Sequence, residues 1–270
     1  MSTALTDATK ASDLSEPVRE AVRDLILVLA DSKRVLGMRY GNWMLGAPEL
    51  EAGIACASMA QDEWGHARLL YALLKDFGDD VDRLEHGREA AEYRNMEVLD
   101  AEPASWPELV AVNAFVDLAL TLQLEALTRS SYLPLRQRVH KLIEEEAFHS
   151  AHGGAWLRRI AGASAEGRKA MQDALSGTVP NVLRWFGRDG DRVHVLQEAS
   201  IVDASGSDMR ARFIERAAPL IRAAGGDAFH GLEPDFSEFD DATRRTSGTV
   251  PDAATIAQIR GDKNRAFLMD

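Results

Sequence analysis

Apolar residues recur at three- and four-residue intervals over long stretches of this chain, the spacing of one helix face, and strict alternation is nowhere sustained. Ser15, with Pro17 in the first turn, opens a helix through VREAVRDLILVLADSKRVLGMRYGNWML. Gly46-Ala47-Pro48 interrupts it, and a second helix is predicted from about Glu49 to Phe77, stopped by Gly78-Asp79-Asp80. Val81 to Pro103 is highly charged and reads as a connection carrying a short helix. Ser105-Trp106-Pro107-Glu108 has capping-box spacing, so a third helix should run from there to about Ser131. Pro134 opens a fourth that ends near Gly162, and a fifth follows from about Ala165 to Phe186. Shorter helices are expected near Arg192–Ala199 and Ser207–Ala224. Strand pairs and Asn-Gly hairpin turns are missing from the pattern.

The four long helices are arranged as pair, connection, pair. That is the outline of an all-α, ferritin-like four-helix bundle with one long crossover, to which the later segments add C-terminal helices. Residues 1–15 read as a flexible N-terminal arm, 16–225 as the helical domain, and 226–270 as an extended tail lying on the body or on a partner.

Composition narrows the function classes. The 270 residues are 46% apolar and 27% charged, an ordinary globular balance that excludes collagen-like and wholly disordered chains. A net charge of −12 without a basic stripe argues against nucleic acid or an anionic membrane as partner. No secretory leader is visible, and no run approaches ~18 consecutive apolar residues, so a cytoplasmic setting without a membrane span is expected. The single cysteine, Cys56, lies in the apolar run GIACASMA and reads as a buried thiol.

Two short motifs carry the chemistry. Asp62-Glu63-Trp64-Gly65-His66 and Glu145-Glu146-Ala147-Phe148-His149 are both acid-Glu-x-x-His, with Glu and His one turn apart on one helix face. At this composition chance supplies about 0.08 such matches per chain. Dinuclear iron or manganese centres in bundles take this motif from two helices and a lone carboxylate from each of the others. The preceding acids, Asp62 and Glu145, are placed to accept the second N–H of a histidine on the opposite helix.

The lone carboxylates must come from helices one and three. Asp117, in the apolar run VNAFVDLALTLQLEAL, lies 29 residues before Glu146 and is favoured over Glu125, which sits at another height in the bundle. On helix one the equivalent position is Lys33, 30 residues before Glu63, and Asp31 points about 200° away. An ammonium cannot bind a cation. Three arrangements remain open: a complete site using another ligand, a one-metal site, or a metal-free salt-bridge network in which Lys33 replaces a metal.

These residues resemble the oxygenase subunits of bacterial phenylacetyl-CoA epoxidase, a ferritin-like multicomponent monooxygenase that pairs a catalytic diiron subunit with a homologous structural subunit. Gly41-Asn42-Trp43 is similar to the helix-one end of both; Gln61 to His66, Val116-Asp117, Arg129 to Tyr132 and Glu145 to His149 are similar to the catalytic one; Ala47 to Glu51 and Ala155 to Arg159 are more like the structural one. The resemblance spans about residues 20–235. It implies metal-ligand, catalytic positions at Glu63, His66, Asp117, Glu146 and His149, with Lys33 where a first glutamate stands. It also implies oxygen insertion into an aromatic acyl-CoA, a homologous partner subunit in a homo- or hetero-oligomer, and a separate reductase. Iron, one or two per chain or none in a structural subunit, is the implied cofactor. Flavin, haem and iron–sulfur sites have no counterpart in the sequence.

Other residues have plainer readings. His152 reads as a polar neighbour of the site, and His86, His140, His194 and His230 as loop or surface residues. Trp43, Trp64, Trp156 and Trp185 read as core aromatics, and Tyr40 and Tyr132 as packing residues. The leading function is that of an oxygenase subunit; the others are a non-catalytic scaffold for a catalytic homologue, and metal storage or peroxide handling on the same bundle.

Overall fold

Four long helical stretches enclose the core of the computed structural model, which describes residues 7–226, 229 and 231–267. Helix α1, Glu16–Trp43, starts with Pro in its first turn and buries Val22, Leu25, Ile26, Leu29 and Leu36. Helix α2, Leu50–Leu74, packs along it. Close approach depends on Gly37, where a Cβ would stand 2.7 Å from the Trp64 indole. Trp64 covers the α1–α2 seam from outside at 38% exposure, and so is not the core aromatic that its type suggests.

A 3-10 turn and Gly78, in the left-handed region at φ 87°, end α2. The crossover holds only the short α3, Val81–His86, and 3-10 turns. Helix α4, Trp106–Ala111, is capped by the Ser105 hydroxyl on the Glu108 N–H, while the Glu108 carboxylate accepts the Ala104 N–H at 2.8 Å. It continues through a π turn, Val112–Val116, into α5, Asp117–Glu125. The expected helix to about Ser131 stops earlier, because Ser131 leaves to donate its N–H to Ser200 O. Trp106–Glu125 is apolar and long enough to cross a membrane, yet 89% of its most apolar stretch is buried inside this bundle, as befits a core helix.

Helix α6, Leu133–Ala163, completes the bundle. Outside it lie α7 (Ala165–Trp185), α8 (Asp191–Glu198) and α9 (Gly206–Ala223).

Residues 1–6 of the expected flexible arm lie outside the described residues. Residues 7 onward are tied down: Ala8 bridges Tyr132, and Asp7 pairs with Arg136 at 2.5 Å. The expected extended tail includes a two-residue hairpin, β1 (Phe239–Asp240) with β2 (Arg245–Thr246), and helix α10, Ala253–Arg260. It is anchored to the crossover by Arg245 on Asp100 at 2.6 Å and to α1 by Arg39 on Thr255. Strands this short leave no alternation for the sequence to display. His230 lies outside the described residues.

Candidate metal centre

Helical spacing brings Glu63 and His66 from α2, and Glu146 and His149 from α6, to one level in the bundle, where all four are buried. Asp117 joins them as the first residue after the π turn, and Lys33 enters from α1; both are wholly buried. The Lys33 ammonium lies 2.5 Å from Glu146 Oε1, 2.8 Å from Glu63 Oε1 and 4.0 Å from Asp117 Oδ1.

Outer carboxylates grip the histidines across the α2–α6 seam. His66 Nε2 is 2.6 Å from Glu145 Oε2, and His149 Nε2 is 3.4 Å from Asp62 Oδ2. Each inner nitrogen therefore faces the cluster: His149 Nδ1 is 3.2 Å from Glu63 Oε1, and His66 Nδ1 is 3.3 Å from Glu146 Oε1. Glu145 and Asp62 themselves remain partly open to solvent.

Burial by itself pulls the Lys33 pKa down, but Glu146, Glu63 and Asp117 outweigh it and raise the value, keeping the ammonium charged. Burial pushes Glu63 above the usual carboxylate range, against the pull of Lys33. Glu146 is buried too, yet Lys33 and the two histidines hold it below that range. His149 would be driven neutral by burial, but its contacts with Asp117 and Glu63 lift it to about 11. The Lys33 ammonium and the protonated His149 thus offset part of the carboxylate charge.

The donor set nevertheless suits a metal. Glu63, Asp117, Glu146 and His149 each offer one ligand atom, all within 4.8 Å of one another. Glu63 Oε2, Asp117 Oδ1, His149 Nδ1 and His66 Nδ1 are buried without a hydrogen-bond partner, an arrangement that is costly unless a cation or proton is shared among them. His66 stands outside the four-atom group. Glu125 is elsewhere, paired with Arg216 at 2.7 Å, and Asp31 belongs to a separate buried network with Arg88 and Tyr71.

Two further side chains take part: Tyr40, expected only to pack, and Asn113, which the sequence reading did not single out. The Tyr40 hydroxyl donates to Asp117 Oδ2, and Asn113 Nδ2 donates to the same oxygen at 2.8 Å. The signal for Asn113 was present: a polar residue in an apolar run, four before Asp117.

Comparison with known proteins agrees with this architecture. The family model for phenylacetic acid catabolic proteins matches residues 1–229. Two different subunits of the 1,2-phenylacetyl-CoA epoxidase of Escherichia coli (strain K12) are similar to this chain. One is 26% identical over 203 residues, covering 73% of this chain and 64% of the relative, so the match spans less than two thirds of that protein. The other is 27% identical over 179 residues, covering 66% of this chain and 72% of its own length. Among solved structures, a mutant R2-like ligand-binding oxidase with an aerobically reconstituted Mn/Fe cofactor superposes at a TM-score of 0.56. It covers 79% of this chain and 84% of that one at 12% identity, a likeness of fold.

Proposed function

This chain belongs to the phenylacetic acid catabolic protein family, and from that membership we propose that it is a subunit of a phenylacetyl-CoA epoxidase-like multicomponent monooxygenase whose site takes one metal ion. The substrate class is an aromatic acyl-CoA, and electrons come from a separate reductase. The observation that carries the single-metal reading is the Lys33 ammonium, seated against Glu63 and Glu146. Three carboxylates carry three negative charges; one divalent ion and one ammonium carry three positive charges. A second divalent ion would leave the buried site with two uncompensated positive charges, at a cost of several kcal/mol.

Glu63, Asp117, Glu146 and His149 would hold the ion, with Asp62 orienting His149. Reducible iron bound there supplies oxygen activation. The chain's own part is to hold that ligand set: Lys33 clamps Glu63 and Glu146, Tyr40 and Asn113 clamp Asp117, and burial keeps bulk water from the cluster.

A specific observation favours a second reading. Lys33 and a protonated His149 already offset two of the three carboxylate charges without a metal, which suits a non-catalytic scaffold for a catalytic homologue. Iron content after anaerobic reconstitution separates the two. About one iron per chain is expected; none moves the chain to the scaffold class, and two would show that Lys33 replaces no metal.

A further inference from the structure

Asn113 is a buried polar side chain that makes more contacts around the site than its ligand neighbours require. Its Nδ2 lies 2.8 Å from Asp117 Oδ2, 3.0 Å from the Tyr40 hydroxyl and 3.2 Å from the His149 carbonyl oxygen. Its Oδ1 faces His152 Nδ1 at 3.0 Å. One carboxamide therefore ties α1, α5 and α6 together at the level of the cluster.

Two features of the backbone serve this contact. Asn113 sits inside the π turn Val112–Val116, which widens the helix immediately before Asp117; such turns gather at functional sites. On the facing helix stands Gly153, where a Cβ would come 2.7 Å from Asn113 Oδ1 and 3.0 Å from the Ala114 nitrogen. Only a residue without a side chain lets α6 close on the π turn. The hydroxyl of Tyr40 then donates to the Asp117 oxygen while accepting from Asn113, so the three groups hold one another in a single arrangement.

We infer that Asn113 is the positioning residue of this centre, fixing the Asp117 carboxylate and the His149 turn, and that Gly153 is the residue that admits it. This rests on the metal reading above, and it adds residues that bind no metal themselves. The experiment uses the full chain with Co(II) as the probe and two variants that leave every proposed ligand in place, Asn113→Ser and Gly153→Ala. Cobalt affinity should fall about 10–100-fold in each, as for other groups that orient ligands. The visible absorption of the cobalt-loaded variants should also shift, which a loss of packing alone would not cause. Unchanged affinity and spectrum would overturn the inference. If the unmutated chain takes up no cobalt, the metal reading fails by itself. Crystal structures of the metal-free proteins then decide the positioning role: Asp117 turned away from Tyr40 in Asn113→Ser upholds it, and Asp117 unmoved overturns it. Should Gly153→Ala not fold, Asn113→Ser carries the test.

Discussion

Lys33 on α1 places its ammonium nitrogen 2.8 Å from Glu63 Oε1 on α2, and neither side chain reaches solvent. A lysine seldom lies this deep, since stripping water from an ammonium costs several kcal/mol unless carboxylates replace it. Here Glu63 and Glu146 touch it and Asp117 stands at 4.0 Å, in the midst of groups that otherwise match a metal-ligand set. On the one-metal reading, this pair sets how many cations the bundle can hold.

Lys33→Glu should restore a fourth carboxylate and raise iron uptake from about one towards two per chain. Metal analysis after anaerobic reconstitution reads the result. An unchanged content would mean that the cavity has diverged beyond its ligand residues.

Lys33→Met removes the ammonium and keeps much of its volume. With the carboxylates left facing one another, the metal-free protein should lose about 3–5 kcal/mol, the usual effect of breaking a buried pair. Urea unfolding measures the loss, and added Mn(II) or Fe(II) should recover part of it. A variant as stable as the parent would show that Lys33 balances no charge there.

His149 predicts opposite pH slopes for two properties. Its folded pKa is raised from 6.5 to about 11, so its stabilisation of the metal-free protein is full below pH 6.5 and is lost as pH climbs towards 11. Metal must displace the same proton, so metal affinity should rise over that range. Urea midpoints and metal titrations between about pH 7 and 10 give both slopes. A metal affinity independent of pH would remove His149 from the ligand set.

Asp62→Asn and Glu145→Gln separate the two histidines. Asp62 orients His149, which belongs to the four-atom group, whereas Glu145 orients His66, which stands outside it. Asp62→Asn should weaken metal binding about 10–100-fold, and Glu145→Gln by less. Calorimetric titration ranks them; the reverse order would make His66 the stronger ligand.

Much of this centre was legible because its signals are local. Glu63 with His66, and Glu146 with His149, share a helix face by spacing alone, whatever the helices pack against. The offset of 30 residues placed Lys33 at their height by simple helix rise. Apolar periodicity marked all four bundle helices, and the arrangement of pair, connection, pair pointed to the ferritin-like fold.

What depends on contacts between helices was not legible. A helix's rotation about its own axis decides whether Lys33 points at the carboxylates or away, and packing of α1 on α2, through Gly37 and Trp64, sets that rotation. The π turn shifts backbone hydrogen bonds without changing the apolar pattern, and it is held by Gly153 on a helix forty residues away. Tyr40 and Asn113 reach Asp117 from α1 and from that turn; Asn113 stands out only as a polar residue in an apolar run, and nothing in its own segment marks Tyr40. The sequence by itself determined the bundle and which carboxylates and histidines share a helix face, because periodicity and one-turn spacing are properties of a single helix. Only the tertiary structure decided that the Lys33 ammonium lies among those groups, because that position is set by how four helices turn against one another.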